Sequence, residues 1–430
     1  MKLSKLTLAC LLATSTLSAT NAYADVTDGF EFHGYFRSGV LLSAEDDFKR
    51  SAWQGGKETL GRLGIEADND MNFELIKKWA FDDGKNIRIH VAVAGTGTDK
   101  ALGSSVDADS LTNSMGFGQT YVEFGGITET GTFWAGKRDY GKDNYIFMTD
   151  FFYTQMSGLG IGVADYEVGD VKMDFAYMTS DRNNPDGRPY AWGSSNTNNI
   201  MHSVHVGANF GSFELHGQVK AMPDNWDDAG NEYAETGFDV TGIMHLDSFV
   251  GIPGNGFSKV ILQAGKGLGS NQLLGGTLNV YNGFVAGGPG PDQMTYLDEN
   301  DLSARFLLWG GYFLKNGINL FPALQAQYND NDDGSSNYWA SAMVRPTFPV
   351  SDNFFIATEF GAQYAYAEDA NGNQAYQGNN AKATIAPTWI IGTGQGPAPE
   401  IRLLGTYLNH AATNEGDGDF IVGLQADMWW

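Results

Sequence analysis

The chain has 430 residues, with 51 acids against 26 bases and a formal charge of −25. That balance excludes nucleic acid as a partner, because a phosphate backbone would be repelled. One cysteine, Cys10, leaves no disulfides or thiolate ligands in the rest of the chain, while 56 glycines and 13% aromatics suit twisted strands and tight turns rather than helices.

Residues 1–24 read as an export signal. Lys2 and Lys5 precede an apolar stretch from Leu6 to Leu12, and Ala22-Tyr23-Ala24 is a small-x-small cleavage site. Residues 25–430 are then expected to form a single outer-membrane barrel domain. Beyond residue 24 no apolar run approaches the ~18 residues of a spanning helix. A membrane barrel would hide its apolar residues at every second position, so hydropathy would miss it.

Strand-like segments follow in order at 30–43, 60–71, 86–95, 117–125, 131–137, 160–168, 171–179, 201–210, 212–221, 235–245, 256–265, 301–314, 317–328, 336–348, 353–366, 380–392, 398–410 and 419–430. In 171–179, Val171, Met173, Phe175 and Tyr177 share one face and Lys172 and Asp174 the other. Connections alternate in length. Gly169-Asp170, Gly211 and Lys315-Asn316 are minimal turns, whereas 138–159, 180–200, 222–234, 266–300 and 367–379 are long and polar. The stretch 72–85 is long for a short-side turn. In the last segment, Trp430 shares a face with Phe420, Val422, Leu424, Ala426 and Met428; Trp429 shares the other with Gln425 and Asp427. A soluble sandwich would alternate in the same way. The export signal, the terminal aromatic and the loop asymmetry favour an all-β, 18-stranded antiparallel transmembrane β-barrel in the bacterial outer membrane.

Enzyme signatures are absent: there is no H-E-x-x-H, G-x-S-x-G or P-loop string, and no enzyme is expected. His202 and His205 would point to opposite faces of a strand and cannot share a metal. Asn329 to Gly334 (NDNDDG) faintly resembles a calcium loop, but Ala340 stands where a bidentate Glu is needed. No cofactor is expected beyond Ca2+ held weakly on acidic loops.

Trp134-Ala135-Gly136-Lys137-Arg138, then Met148-Thr149-Asp150-Phe151-Phe152-Tyr153 and Ser157-Gly158-Leu159-Gly160, resembles the third loop of the maltoporin family. Phe32-His33-Gly34-Tyr35-Phe36-Arg37-Ser38-Gly39 resembles its first strand, and Trp429-Trp430 its ending. The resemblance implies a trimeric eighteen-stranded sugar porin with an inward-folded third loop. It also implies oligosaccharide as solute, maltodextrin-like or other, and outer-membrane lipid and lipopolysaccharide as surroundings. In such a pore, aromatic rings stack on the apolar faces of a sugar. Charged groups opposite exchange hydrogen bonds with its hydroxyls, each site weakly enough to release it.

Carried over residue by residue, the resemblance implies an aromatic track through Tyr35, Phe257, Trp389 and Trp429, with the second-strand member falling at Asn72 or Phe73. It implies a polar constriction from Arg37, Arg62 and Lys142, the carboxylates Glu74, Asp150 and either Asp143 or its neighbour Asn144, and Phe152 where the family has a tyrosine. The family's second-loop tryptophan has no match in 96–116, and its small first-loop disulfide is lost at Ala67. Two alternatives stay open: a general cation-leaning porin, and a secreted carbohydrate-binding protein or glycoside hydrolase.

Overall fold

The computed structural model describes residues 29–51, 56–66, 69–97, 115–141, 143–181, 200–223, 225, 232–277, 297–391, 399–410 and 418–430. The export signal, Cys10, Ala67 and Lys142 lie outside these. Strands β1 (Gly29–Ser43), β2 (Asn69–Ala80), β3 (Asn86–Gly97), β4 (Met115–Gly125), β5 (Thr132–Tyr140) and β6 (Met156–Val168) lead the chain. Next come β7 (Val171–Asp181), β8 (Ile200–Asn209), β9 (Phe213–Ala221), β10 (Thr236–Leu246), β11 (Asn255–Gly267) and β12 (Leu302–Phe313). The last six are β13 (Asn319–Asp330), β14 (Ser336–Ser351), β15 (Phe354–Glu368), β16 (Gln374–Ile390), β17 (Glu400–His410) and β18 (Asp419–Trp429).

Each strand pairs antiparallel with its chain neighbours, and β1 pairs with both β2 and β18. The sheet therefore closes on itself, leaving no edge. Trp430 finishes the seam by exchanging two backbone hydrogen bonds with Gly34, each 3.1 Å. The expected eighteen-stranded barrel is what the chain forms.

The second strand lies later in the chain than its alternation suggests. The segment 60–71 is not the second strand. Lys57–Leu60 is a single helical turn (α1), residues 61–66 wind on through turns, and β2 begins at Asn69. Gly61 (φ +89) and Gly64 (φ +76) sit in the left-handed region, where alternating strand geometry ends. The correction also removes the overlong connection at 72–85: the turn is only Phe81–Lys85, closed by Phe81 N–H donating to Lys85 O at 2.9 Å.

Alternation sorts the two faces. Val219, Leu262, Ile385 and Leu424 are exposed on the outside, while their neighbours Lys220, Gln263, Thr384 and Gln425 are buried within. The interior also has apolar patches, and these are where loops dock. Ile146, Met148, Phe151 and Tyr153 of the third loop pack on Ile243, Ile261, Leu307 and Trp309 of the wall. Leu60, Leu63 and Ile65 of the first loop pack on Leu41, Phe355, Ala386 and Leu404. Leu268 and Leu273, beyond β11, join Met201 and Met222. Among the described residues, inward folding thus extends to three loops.

Wall side chains hold these loops largely through backbone carbonyls. Lys382 donates to Gly61 O and Leu63 O, and Gln325 to Glu58 O at 2.8 Å. Arg345 donates to Met148 O at 3.0 Å and Gln263 to Tyr153 O at 2.6 Å. Lys220 donates to Leu273 O at 2.6 Å. Buried Glu359 anchors the first group, accepting from Arg345 (2.5 Å), Lys382 (2.6 Å) and the Leu63 N–H (2.9 Å). A buried carboxylate with these partners answers the cost of desolvating it.

Candidate channel constriction

Docking of the first and third loops brings their charges against the β1–β18 seam. Glu66 is the hub. Its carboxylate accepts from Arg37 Nη1 at 2.5 Å, Arg62 Nε at 2.9 Å and Lys57 Nζ at 2.6 Å. Asp150 of the third loop meets Lys57 at 3.2 Å and Arg62 at 3.6 Å. Asp427 of β18 meets Arg402 at 3.0 Å and Arg62 at 3.7 Å. Burial opposes ionisation of Glu66, but Arg62 and Lys57 prevail and hold its carboxyl below the usual range. Those carboxylates in turn push the Arg62 guanidinium well above its ordinary value, against its own burial.

The aromatic side of this region is the seam itself. Tyr35 and Trp429 are register partners, so both point inward with Arg37 and Asp427. Arg62 Nη2 donates to the Tyr35 hydroxyl at 3.2 Å, and the Arg37 guanidinium lies 5.2 Å from the Tyr35 ring. Trp430, one residue on, faces outward, with its ring 5.4 Å from Phe32. In the third loop, Phe152 stacks on Tyr145 at 5.1 Å across a two-residue ladder. Tyr145 thus places a phenol beside the ring that lacks one.

The sequence profile of the LamB porin family matches residues 30–430. A maltoporin of Vibrio cholerae serotype O1 is 27% identical over 100% of both chains. Maltoporin 1 of Klebsiella pneumoniae is 27% identical over 98% of this chain and 97% of its own. The solved Acinetobacter baumannii OccAB2 shares the fold at a TM-score of 0.51 and 9% identity, covering 95% of this chain and 99% of its own. The chain belongs to the LamB porin family. It is a channel protein of the bacterial outer membrane.

Within this porin, four of the expected residues, Arg37, Arg62, Asp150 and Tyr35, meet in one cluster, with Trp429 beside Tyr35 on the same inner face. Phe257 also faces inward, but into the cluster beneath the third loop, with Trp309 at 5.6 Å and Phe313 at 6.3 Å. Glu74 faces inward elsewhere. It contacts His90 at 2.9 Å, which also contacts Glu123 at 3.1 Å. Asp143 is exposed and feels Arg138 and Lys259 rather than Arg62.

Two aromatics point the wrong way for a channel role. Trp389 is 41% exposed on the outer surface, its ring 4.8 Å from Phe354, while Thr384, Ala386 and Thr388 line the inside. Phe73 pairs with Gly34 and lies 6.4 Å from Phe32 on the outer face; Asn72, opposite Tyr35, takes the inward position. A shift of one residue along a strand reverses the face, and the resemblance alone did not fix the register at these points.

No motif in the sequence marks Lys57, Glu66, Arg402 or Tyr145 for the cluster. The one local signal was Glu66, four residues after Arg62. Among the described residues no group of three or more His, Cys, Asp or Glu side chains is placed to hold a metal ion. Asn329 is buried and bonded to Ser303, Gln327 and Asn337, so the 329–334 segment offers no calcium cage.

Proposed function

We propose that this porin passes sugars, maltodextrin-like or other oligosaccharides, down their gradient past a constriction formed by its first and third loops. Tyr35 and Trp429 supply the stacking surface, and Arg62, Asp150 and Lys57 exchange hydrogen bonds with sugar hydroxyls. The observation that carries this reading is the placement of the Tyr35–Trp429 pair on the inner wall beside an ion-paired cluster drawn from both loops. Membership of a family whose members are named maltoporins supports the solute class. A ring stacked on a sugar face beside charged hydroxyl partners binds weakly and serially, as conduction requires. The working unit is a homotrimer surrounded by lipopolysaccharide and lipid, as the family resemblance implies, and no catalytic step or cofactor is involved.

The test is single-channel current in planar bilayers with a panel of oligosaccharides on either side. Concentration-dependent block is expected. Ohmic, cation-selective conductance that no oligosaccharide interrupts would overturn the sugar reading and favour a general porin.

A further inference from the structure

The charges at the constriction differ in how far they are open to the lumen. Side chains of Arg37, Glu66 and Asp427 are 3%, 4% and 3% exposed. Lys57 and Asp150 are 26% and 27% exposed. The Lys57–Asp150 pair is the more open of the cluster, with Arg62 between at 18%. Glu66 also has Arg37 and Arg62 as partners, so Lys57 is not its sole countercharge. Asp150, by contrast, meets Lys57 at 3.2 Å within hydrogen-bond range and Arg62 only at 3.6 Å.

Asp150 also has φ +59, a left-handed backbone unusual for a residue with a side chain. Such conformations persist when surrounding contacts over-determine them. Lys57 makes the hydrogen bond that ties the Asp150 side chain to the first loop, with Arg62 farther off at 3.6 Å. An ammonium has three donors. Glu66 and Asp150 take two of them, at 2.6 and 3.2 Å, and among the described residues no third acceptor competes with a passing hydroxyl.

We infer that Lys57, a first-loop residue, is a specificity-determining residue of the constriction: it positions Asp150 of the third loop and presents the lumen-facing cation that solute meets there. The part that concerns sugar rests on the proposed function; the part that concerns ions does not.

The experiment compares wild type, K57M, K57R, D150N and K57M/D150N in planar bilayers, reading sugar block and the reversal potential in a salt gradient. Each variant is first checked for trimers and heat-modifiable gel mobility, so that misfolded protein is not scored. K57M is expected to weaken sugar block about tenfold, as loss of a charged hydrogen bond should, and to move the reversal potential toward cation selectivity. K57R should restore both, and K57M/D150N should block no more weakly than K57M, because the two residues act as a unit. A K57M channel with wild-type block and reversal potential would overturn the inference. So would K57R behaving as K57M, or fully additive losses in the double variant. If wild type itself shows no sugar block, the sugar reading fails, and the reversal-potential shift alone still decides whether Lys57 faces the ion path.

Discussion

Glu66 and Arg37 meet at 2.5 Å, both almost wholly buried, although one belongs to the first loop and the other to the barrel wall. This ion pair ties the loop to the wall of the barrel. Arg62 and Lys57 reinforce it from the loop side, and Gln425 adds a bond to Glu66 O at 3.2 Å.

Removing the hub charge should release the loop. In Glu66→Gln, Arg37 and Arg62 keep their burial but lose their nearest countercharge, a change that typically costs about 3–5 kcal/mol. We expect larger and noisier conductance, with new protease cleavage within 56–66 in folded trimers. Wild-type conductance and resistance to cleavage would contradict this role.

Acidification should have a related effect. The Glu66 carboxyl is held below its ordinary value of 4.5, so the unfolded chain binds its proton first as pH falls. The stabilisation from this group is therefore complete above that ordinary value and is lost as pH drops through the lower folded value. Conductance should be steady at and above that ordinary value and become unstable only below it. Glu66→Gln should remove that acid limb.

The two terminal tryptophans should separate by phenotype. Trp429→Ala should weaken oligosaccharide block by about tenfold, on the order of 1.4 kcal/mol, with little change in thermal stability. Trp430→Ala should leave block intact and reduce the yield of assembled barrel, since the Trp430 ring packs outside on Phe32 and over Gly34, while its backbone bonds to Gly34 would survive the change. Trp389→Ala belongs with Trp430→Ala: an outward ring should not alter block.

Gly64 gives a stability test that bypasses charge. A Cβ there would collide with Thr406 Oγ1, and φ +76 disfavours any side chain. Gly64→Val should undock the first loop and lower the unfolding temperature of the trimer, whereas Gly217→Val in β9 should be mild, because a Cβ there meets nothing within 4 Å and its backbone is not left-handed.

The barrel was legible because its chemistry is local. Period-two alternation, short turns such as Gly169-Asp170 and the aromatic last strand each report on neighbouring residues. The first loop was misread for the same reason. Leu60 to Glu66 mixes apolar and charged residues as a strand does, and its true partners are remote: Leu63 N–H bonds Glu359, 296 positions away. Family resemblance located Arg37, Arg62 and Asp150 in one cluster. It failed at Trp389 and Phe73, where a single step of register separates inside from outside. Lys57 and Arg402 became visible only once the loops were folded against the seam.

The manner in which the wall holds its loops has a consequence for how such channels diversify. Lys382, Arg345, Gln263, Gln325 and Lys220 grasp carbonyl oxygens that every amino acid carries. Part of each loop's attachment therefore does not depend on which side chains it displays. Mutation can redraw the lining that a solute encounters while the scaffold keeps its hold, so one barrel can be retuned for new sugars without being rebuilt.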